Sequence, residues 1–316
     1  MFIQTGLTVF SAVFQLFLIS LAAGLLIRRQ LITPAQIQAL SAVTVNVFLP
    51  CLIVAKVLAN FRPASFPNWW ILPLAGILII LAGLFFSGIL FRLAPEKRPL
   101  MTLASMQNAI YIVLPIGQIL FTDQFDQFAL YCFLLILGLN PVMWSIGKVM
   151  ISGGRDSRIG WRDFASPPLA AIFISIIMVF SKCYGIIPEP VVGAIDLLGR
   201  ATVPIAVFVL GATMGSISLK RWPPAGDILI VAAVKFVLVP LTVFATLYVT
   251  GLHISMPLAC SMLMIQAASP PATNLILIVR SYGGDVQTVS AMMLIQYLVC
   301  ILALPLWIAV WQFTAG

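Results

Sequence analysis

Charge is scarce in this 316-residue sequence: Asp, Glu, Lys and Arg together make up 8%, and only nine residues are acidic. A soluble domain carries about 25% charged residues, so this chain cannot furnish a water-facing surface. Histidine occurs once, as His253, and the five cysteines (Cys51, Cys132, Cys183, Cys260 and Cys300) form no CxxC pair. No metal site and no cofactor is therefore expected, and the cysteines read as small buried apolar residues rather than as disulfide or metal ligands. The net charge of +8 would suggest nucleic acid in a soluble chain. Here the basic residues gather in short loops between apolar runs, where membrane orientation accounts for them, so no nucleic-acid partner is expected.

What is abundant is apolar surface: 62% of residues are hydrophobic, and the long apolar runs recur along the whole chain. Runs of about 18 to 25 residues are long enough to cross a bilayer. They place ten spans near 7–27, 37–59, 69–91, 102–121, 127–149, 167–184, 190–217, 227–250, 256–279 and 286–313. The first run has no basic residue before it, while Arg28 and Arg29 follow it. It reads as a retained first span rather than a cleaved signal peptide.

The loops on one side receive Arg28, Arg29, Arg92, Lys97, Arg98, Lys148, Arg155, Arg158, Arg162, Lys220, Arg221 and Arg280, twelve basic residues against Arg62 and Lys182 on the other. That asymmetry makes the first side cytoplasmic and sets both termini on the outer, periplasmic side of an inner (plasma) membrane. Gaining or losing one span would scramble it, which supports the count of ten.

A duplication is visible in the prolines. Pro34 and Pro50 recur as Pro188 and Pro204, each at an offset of 154 residues (188 − 34 and 204 − 50). "MTLASMQNAIYIVLP" (101–115) and "MPLACSMLMIQAASP" (256–270) share M-x-L-A and a proline fourteen residues later, at an offset of 155. The near-constant offset across different spans predicts two five-helix halves, 1–150 and 151–316. An odd number of spans per half inverts the second relative to the first, the inverted repeat of many secondary transporters.

Under this repeat, Pro115 in span 4 corresponds to Pro270 in span 9. Proline removes an N–H and clashes with the carbonyl four residues back, so Pro115, Pro270 and Pro271 free backbone carbonyls in mid-membrane. Such breaks are tolerated where they line a polar cavity, and Gln107, Asn108, Gln266, Ser269, Thr273 and Asn274 all lie within a turn or two. Ser269 before Pro270 reads as a cap with proline at the first helical position, which would open a new helix N-terminus able to face an anion. The candidate substrate-binding residues are thus Asn108, Pro115, Gln266, Ser269, Pro270, Pro271, Thr273 and Asn274. The bland alternative is that these prolines only kink two helices.

"NVFLPCLIVAKVL", "QNAIYIVLPIGQILF", "ATVPIAVFVLGATMG", "VKFVLVP" and "QAASPPATNLILIVRSYGGD" resemble the auxin efflux carrier family, in a prokaryotic form without the long cytoplasmic loop of the plant PIN carriers. The resemblance spans essentially the whole chain. It implies an all-α polytopic fold like that of bile acid and sodium/proton transporters. Spans 1, 2, 6 and 7 would form a scaffold, and spans 3–5 and 8–10 a transport domain in which spans 4 and 9 cross. It further implies an elevator-like motion, a homodimer through the scaffold, and small organic anions such as malate, malonate or auxin-like carboxylates as substrate. Substrate contact would fall on Asn108, Gln266, Ser269 and Asn274.

Three basic residues lie inside spans. Lys235 sits mid-span in span 8 and needs a partner or a role, whether neutralising substrate, standing in for a coupling cation, or donating to freed carbonyls. Asp196 and Arg200 are spaced i, i+4 and predict an ion pair of structural kind. Lys56 lies near the outer end of span 2, where it can reach the interface. No carboxylate adjoins the prolines of spans 4 and 9, which disfavours a cation antiporter and leaves coupling to protons or sodium open. "YGGD" (282–285) is reminiscent of an intramembrane protease, but such a dyad needs a second carboxylate in hydrogen-bond reach of Asp285, for which Asp196 is the only partner on offer. "ISGGRDSRIGWRDFASPP" (151–168) reads as a linker between the halves. The expected function is secondary transport of a small organic anion across the bilayer, with a channel or solute sensor, and less readily an enzyme, as alternatives.

Overall fold

A computed structural model of the chain describes residues 2–152, 166–217, 222–281 and 285–315. Most of the 151–168 linker, residues 282–284 of the YGGD stretch, and Arg155, Arg158, Arg162, Lys220 and Arg221 lie outside the described residues.

The described residues are helical with short connections. In chain order the helices are α1 (Phe2–Arg28), α2 (Pro34–Asn60), α3 (Ile71–Leu90), α4 (Arg98–Ser105), α5 (Val113–Leu120), α6 (Thr122–Ser152), α7 (Pro167–Phe180), α8 (Glu189–Gly215), α9 (Ala225–Val249), α10 (Pro257–Ala267), α11 (Asn274–Ser281) and α12 (Val286–Ala315). Seven of these (α1, α2, α3, α6, α8, α9 and α12) are long and apolar enough to cross a membrane. The other three stretches expected to span hold shorter helices: 167–184 holds the fourteen-residue α7, 102–121 the pair α4 and α5, and 256–279 the pair α10 and α11. Large apolar side chains such as Leu7, Phe85, Ile177, Leu229 and Leu302 stand more than half exposed on the outer faces, as a lipid-facing surface requires.

Local chemistry sets the helix starts. Thr33 and Gln36 form a reciprocal capping box at α2, with Gln36 N donating to Thr33 Oγ1 and Thr33 N donating to Gln36 Oε1, and Pro34 occupies the first helical position. Ser166 caps α7, again with proline first. Both arrangements satisfy N–H groups that have no partner within the helix, and they spend proline where its missing N–H costs nothing.

Three long helices each contain a five-residue π segment: Thr44–Phe48 in α2, Met143–Gly147 in α6 and Val234–Leu238 in α9. In α2 and α9 the segment ends two residues before a proline, Pro50 and Pro240. A proline deprives the carbonyl four residues back of its donor, and the wider π turn relieves the clash. In α9 that carbonyl belongs to Phe236, and Trp307 Nε1 on α12 donates to it at 2.7 Å.

The helices pack as two groups. In the first, α1 lies against α8, and α2 against α7 and α8. Both contacts join helices of 2–60 to helices of 167–215. The second group holds α3 against α4 and α6, and α9 and α12 around α10. The groups meet where α1 touches α5 and α12, and where α2 touches α6. Some approaches are too close for side chains: a Cβ on Gly211 of α8 would collide with the backbone of Ser20 on α1, and one on Gly138 of α6 with the carbonyl of Pro73 on α3. Ser20 and Gly24 thus face Gly211 and Gly215, small residues four apart on both helices, which bring backbones together where no hydrophobic effect separates protein from lipid.

Candidate functional site

The segment between α4 and α5 meets the segment between α10 and α11 as a short antiparallel bridge. Asn108 N donates to Pro270 O at 2.8 Å, Ala272 N donates to Met106 O at 3.0 Å, and Gln107 pairs with Pro271. Two unwound stretches inside a membrane would each leave orphan backbone groups; laid across one another, they satisfy part of the need mutually.

Side chains complete the crossing. Asn108 Oδ1 accepts from Ile110 N (3.2 Å) and Tyr111 N (2.8 Å), which covers donors at the approach to α5. Asn108 Nδ2 donates to the hydroxyl of Tyr297 on α12 at 2.8 Å, and that hydroxyl donates to Pro271 O at 3.0 Å. One asparagine and one tyrosine therefore tie together both breaks and α12. Lys235 Nζ, fully buried in the π segment of α9, donates to Met106 O at 3.4 Å. The amides of Gln107 and Gln266, both fully buried, have no hydrogen-bond partner among the described residues.

The prolines sit differently from the sequence expectation. Pro115 is the third residue of α5, within the first turn, where its missing N–H has no helical acceptor to lose. The break precedes it, across 106–112. Pro270 and Pro271 lie in the extended stretch itself, before α11 begins at Asn274. Ser269 is consequently not a helix cap: its hydroxyl donates back to Ile265 O at 2.7 Å, serving the end of α10.

A cavity of about 690 Å³ opens beside the crossing. Its wall takes Ile27 of α1, Pro34 to Asn46 of α2, Tyr111, Trp144 of α6, the end of α8 at Thr213 and Ser216, Thr273 and Asn274, Arg280, and Ser290 at the start of α12. Of the sequence-predicted residues, Thr273 and Asn274 line it, whereas Asn108, Pro115, Gln266, Ser269, Pro270 and Pro271 are buried in the structure that shapes it. Asn46, Tyr111 and Arg280 escaped the sequence reading. Asn46 had a signal, since it stands four residues before Pro50 in the disturbed turn and is exposed to the cavity. A second cavity of about 350 Å³ between α1, α5, α8 and α12 is almost wholly apolar, with Arg28 at its rim.

At the opposite end of the bundle Lys56 is buried and paired twice, with Asp126 at 2.9 Å and Asp196 at 3.1 Å. Arg200 reaches the other oxygen of Asp196 at 2.6 Å, the i, i+4 pair expected from spacing. Lys56 thus bridges α2, α6 and α8.

A multi-pass membrane protein with a polar internal cavity at the crossing of two helix breaks is the class that fold and site define. The chain belongs to the membrane transport protein family, the auxin efflux carrier family its motifs resemble: the family model matches it over residues 8–158 and 156–308. It is 24% identical over 279 residues to an uncharacterized transporter of Methanocaldococcus jannaschii, covering 85% of this chain and 87% of that one. It is 32% identical over 114 residues to a protein of Rhizobium meliloti provisionally named a malonate transporter, covering 36% of this chain and 34% of that one.

Proposed function

We propose that the protein is a secondary transporter of a small organic anion, of carboxylate type, working by alternating access around the crossed breaks. The observation that carries this reading is the antiparallel crossing of 106–108 with 270–272 at the edge of the polar cavity. Polar groups of an unwound backbone are tolerated at membrane depth where they serve a solute site.

The cavity is one-sided, and this supports alternating access. Its wall is built from the end of α1, the start of α2, the end of α8 and the start of α12, the end of the bundle where the basic loops gather. By the positive-inside rule that end is cytoplasmic, with both termini on the periplasmic face of the inner membrane. At the other end Lys56 pairs with Asp126 and Asp196 across the two helix groups. In this reading α1, α2, α7 and α8 are the scaffold of a homodimer, and the remaining helices carry substrate in an elevator-like movement. The relative provisionally named a malonate transporter favours a carboxylate substrate.

The test is uptake of labelled mono- and dicarboxylates into proteoliposomes at varied pH and sodium. Saturable uptake that Asn274→Ala abolishes, with an unaltered thermal midpoint, supports the reading. Non-saturating flux would make the protein a channel, and binding without flux a sensor; wild-type uptake by Asn274→Ala would remove the site assignment.

A further inference from the structure

The polar cavity has a charged pole that orientation alone had absorbed. Arg280 counts among the cytoplasmic basic residues in the sequence, yet it lies in the last turn of α11 and lines the same cavity as Thr273 and Asn274. No Asp, Glu, Lys or His lines that cavity among the described residues, so Arg280 is its single formal charge. It is exposed, and no acidic side chain stands within 4 Å of it among the described residues.

Arg280 follows Asn274 by six residues, roughly 9 Å along a helix axis. Helical side chains lean toward the N-terminus and cover the preceding turn. Ile276, one turn before Arg280, also lines the cavity, so Arg280 and the Thr273–Asn274 pair border one volume from opposite ends of α11. A short dicarboxylate with a hydrogen bond of about 3 Å at each end fits between groups spaced in this way. A planar guanidinium also offers paired N–H donors that match one carboxylate.

We propose that Arg280 selects dicarboxylates over monocarboxylates: one carboxylate of the substrate lies at Thr273 and Asn274, and the second pairs with Arg280. This rests on the carboxylate-transport reading above and adds to it the charge number of the substrate and the residue that reads it. A basic residue in a last helical turn also favours the helix dipole. A purely capping arginine would affect stability and leave ligand preference alone.

The experiment measures binding of succinate, malonate, butyrate and propionate to detergent-purified wild type, Arg280→Gln and Arg280→Lys, with the thermal midpoint of each ligand-free protein as control. Wild type is expected to bind each dicarboxylate roughly tenfold tighter than the monocarboxylate of equal length, about what one charge-assisted pair supplies. Arg280→Gln loses that preference while its monocarboxylate affinity stays within about twofold, and Arg280→Lys keeps part of it because it retains the charge without the fork. An undiminished preference in Arg280→Gln overturns the proposal. So does wild type that binds monocarboxylates equally well, although the transport reading then survives. Binding of neither class removes both.

Discussion

Lys56 Nζ and Asp126 Oδ1 stand 2.9 Å apart across the boundary between the two helix groups, and the same ammonium holds Asp196 within its own group at 3.1 Å. The side chains differ in exposure, 10% for Lys56 and 53% for Asp126. Replacing Lys56 by Met leaves two aspartates without their shared cation, and loss of one partner from a largely buried pair costs on the order of 1–3 kcal/mol. Asp126→Asn removes a half-exposed partner and costs less, under about 1 kcal/mol. The midpoint of thermal inactivation in detergent should therefore fall several degrees for Lys56→Met and barely move for Asp126→Asn. Equal shifts would show that the pair, and not the cluster around Asp196 and Arg200, carries the stability.

Tyr297 offers a narrower cut. Its hydroxyl accepts from Asn108 and donates to Pro271 O, so Tyr297→Phe leaves a buried amide donor and a buried carbonyl unmet while the ring stays in place. Such loss costs about 1–3 kcal/mol per buried group. The expected result is a lowered thermal midpoint together with at least a tenfold drop in uptake, roughly the effect of misplacing substrate groups. Asn108→Ala removes the same bond and also the cap on Ile110 and Tyr111, so it should be the more destabilising of the two. A Tyr297→Phe protein with normal stability would mean that the crossing holds without this bridge.

Two glycines of α8 should respond oppositely to the same substitution. Gly211 has no room for a Cβ against Ser20, and the neighbour is backbone, which cannot rotate away. Gly193 has nothing within 4 Å of such an atom. Gly211→Ala is expected to prevent assembly of α1 on α8 and abolish the monodisperse peak in size-exclusion chromatography. Gly193→Ala should leave that peak unchanged and stabilise by about 0.5–1 kcal/mol through helix propensity.

The membrane class, the family and the existence of two helix breaks were legible in the sequence because each rests on a local pattern: long apolar runs, whole-chain motifs, and prolines beside amides. Where the chain unwinds was less so. A proline marks either the break or the first turn after it, since both dispense with its N–H, and Pro115 proved to be the second while Pro270 and Pro271 are the first. Ser269 was misread for a related reason, because a serine can cap the helix that follows or bond back to the one before. The third dimension supplied the rest. Asp126 joins Lys56 from a separate span, Tyr297 joins Asn108 across 189 residues, and Arg280 reads as a loop cation until the end of α11 is seen to line the cavity. None of these pairings has a spacing that sequence could reveal.

Lys235 decides whether the crossing contains a working charge. It is fully buried, and its acceptor, Met106 O, already receives Ala272 N at 3.0 Å. No carboxylate lies within 4 Å of it among the described residues. An ammonium at membrane depth is costly, by roughly 2.5–3.5 kcal/mol on insertion scales, and its one bond here is long and shared. Lys235→Met fills similar space without that cost, while the Ala272 bond keeps Met106 O satisfied. The thermal midpoint should then stay level or rise. If the ammonium serves transport, uptake by the same variant should fall at least about tenfold, the scale of one lost charge-assisted contact. A lower midpoint with uptake that recovers once corrected for folded protein would instead make Lys235 a structural donor to the unwound backbone.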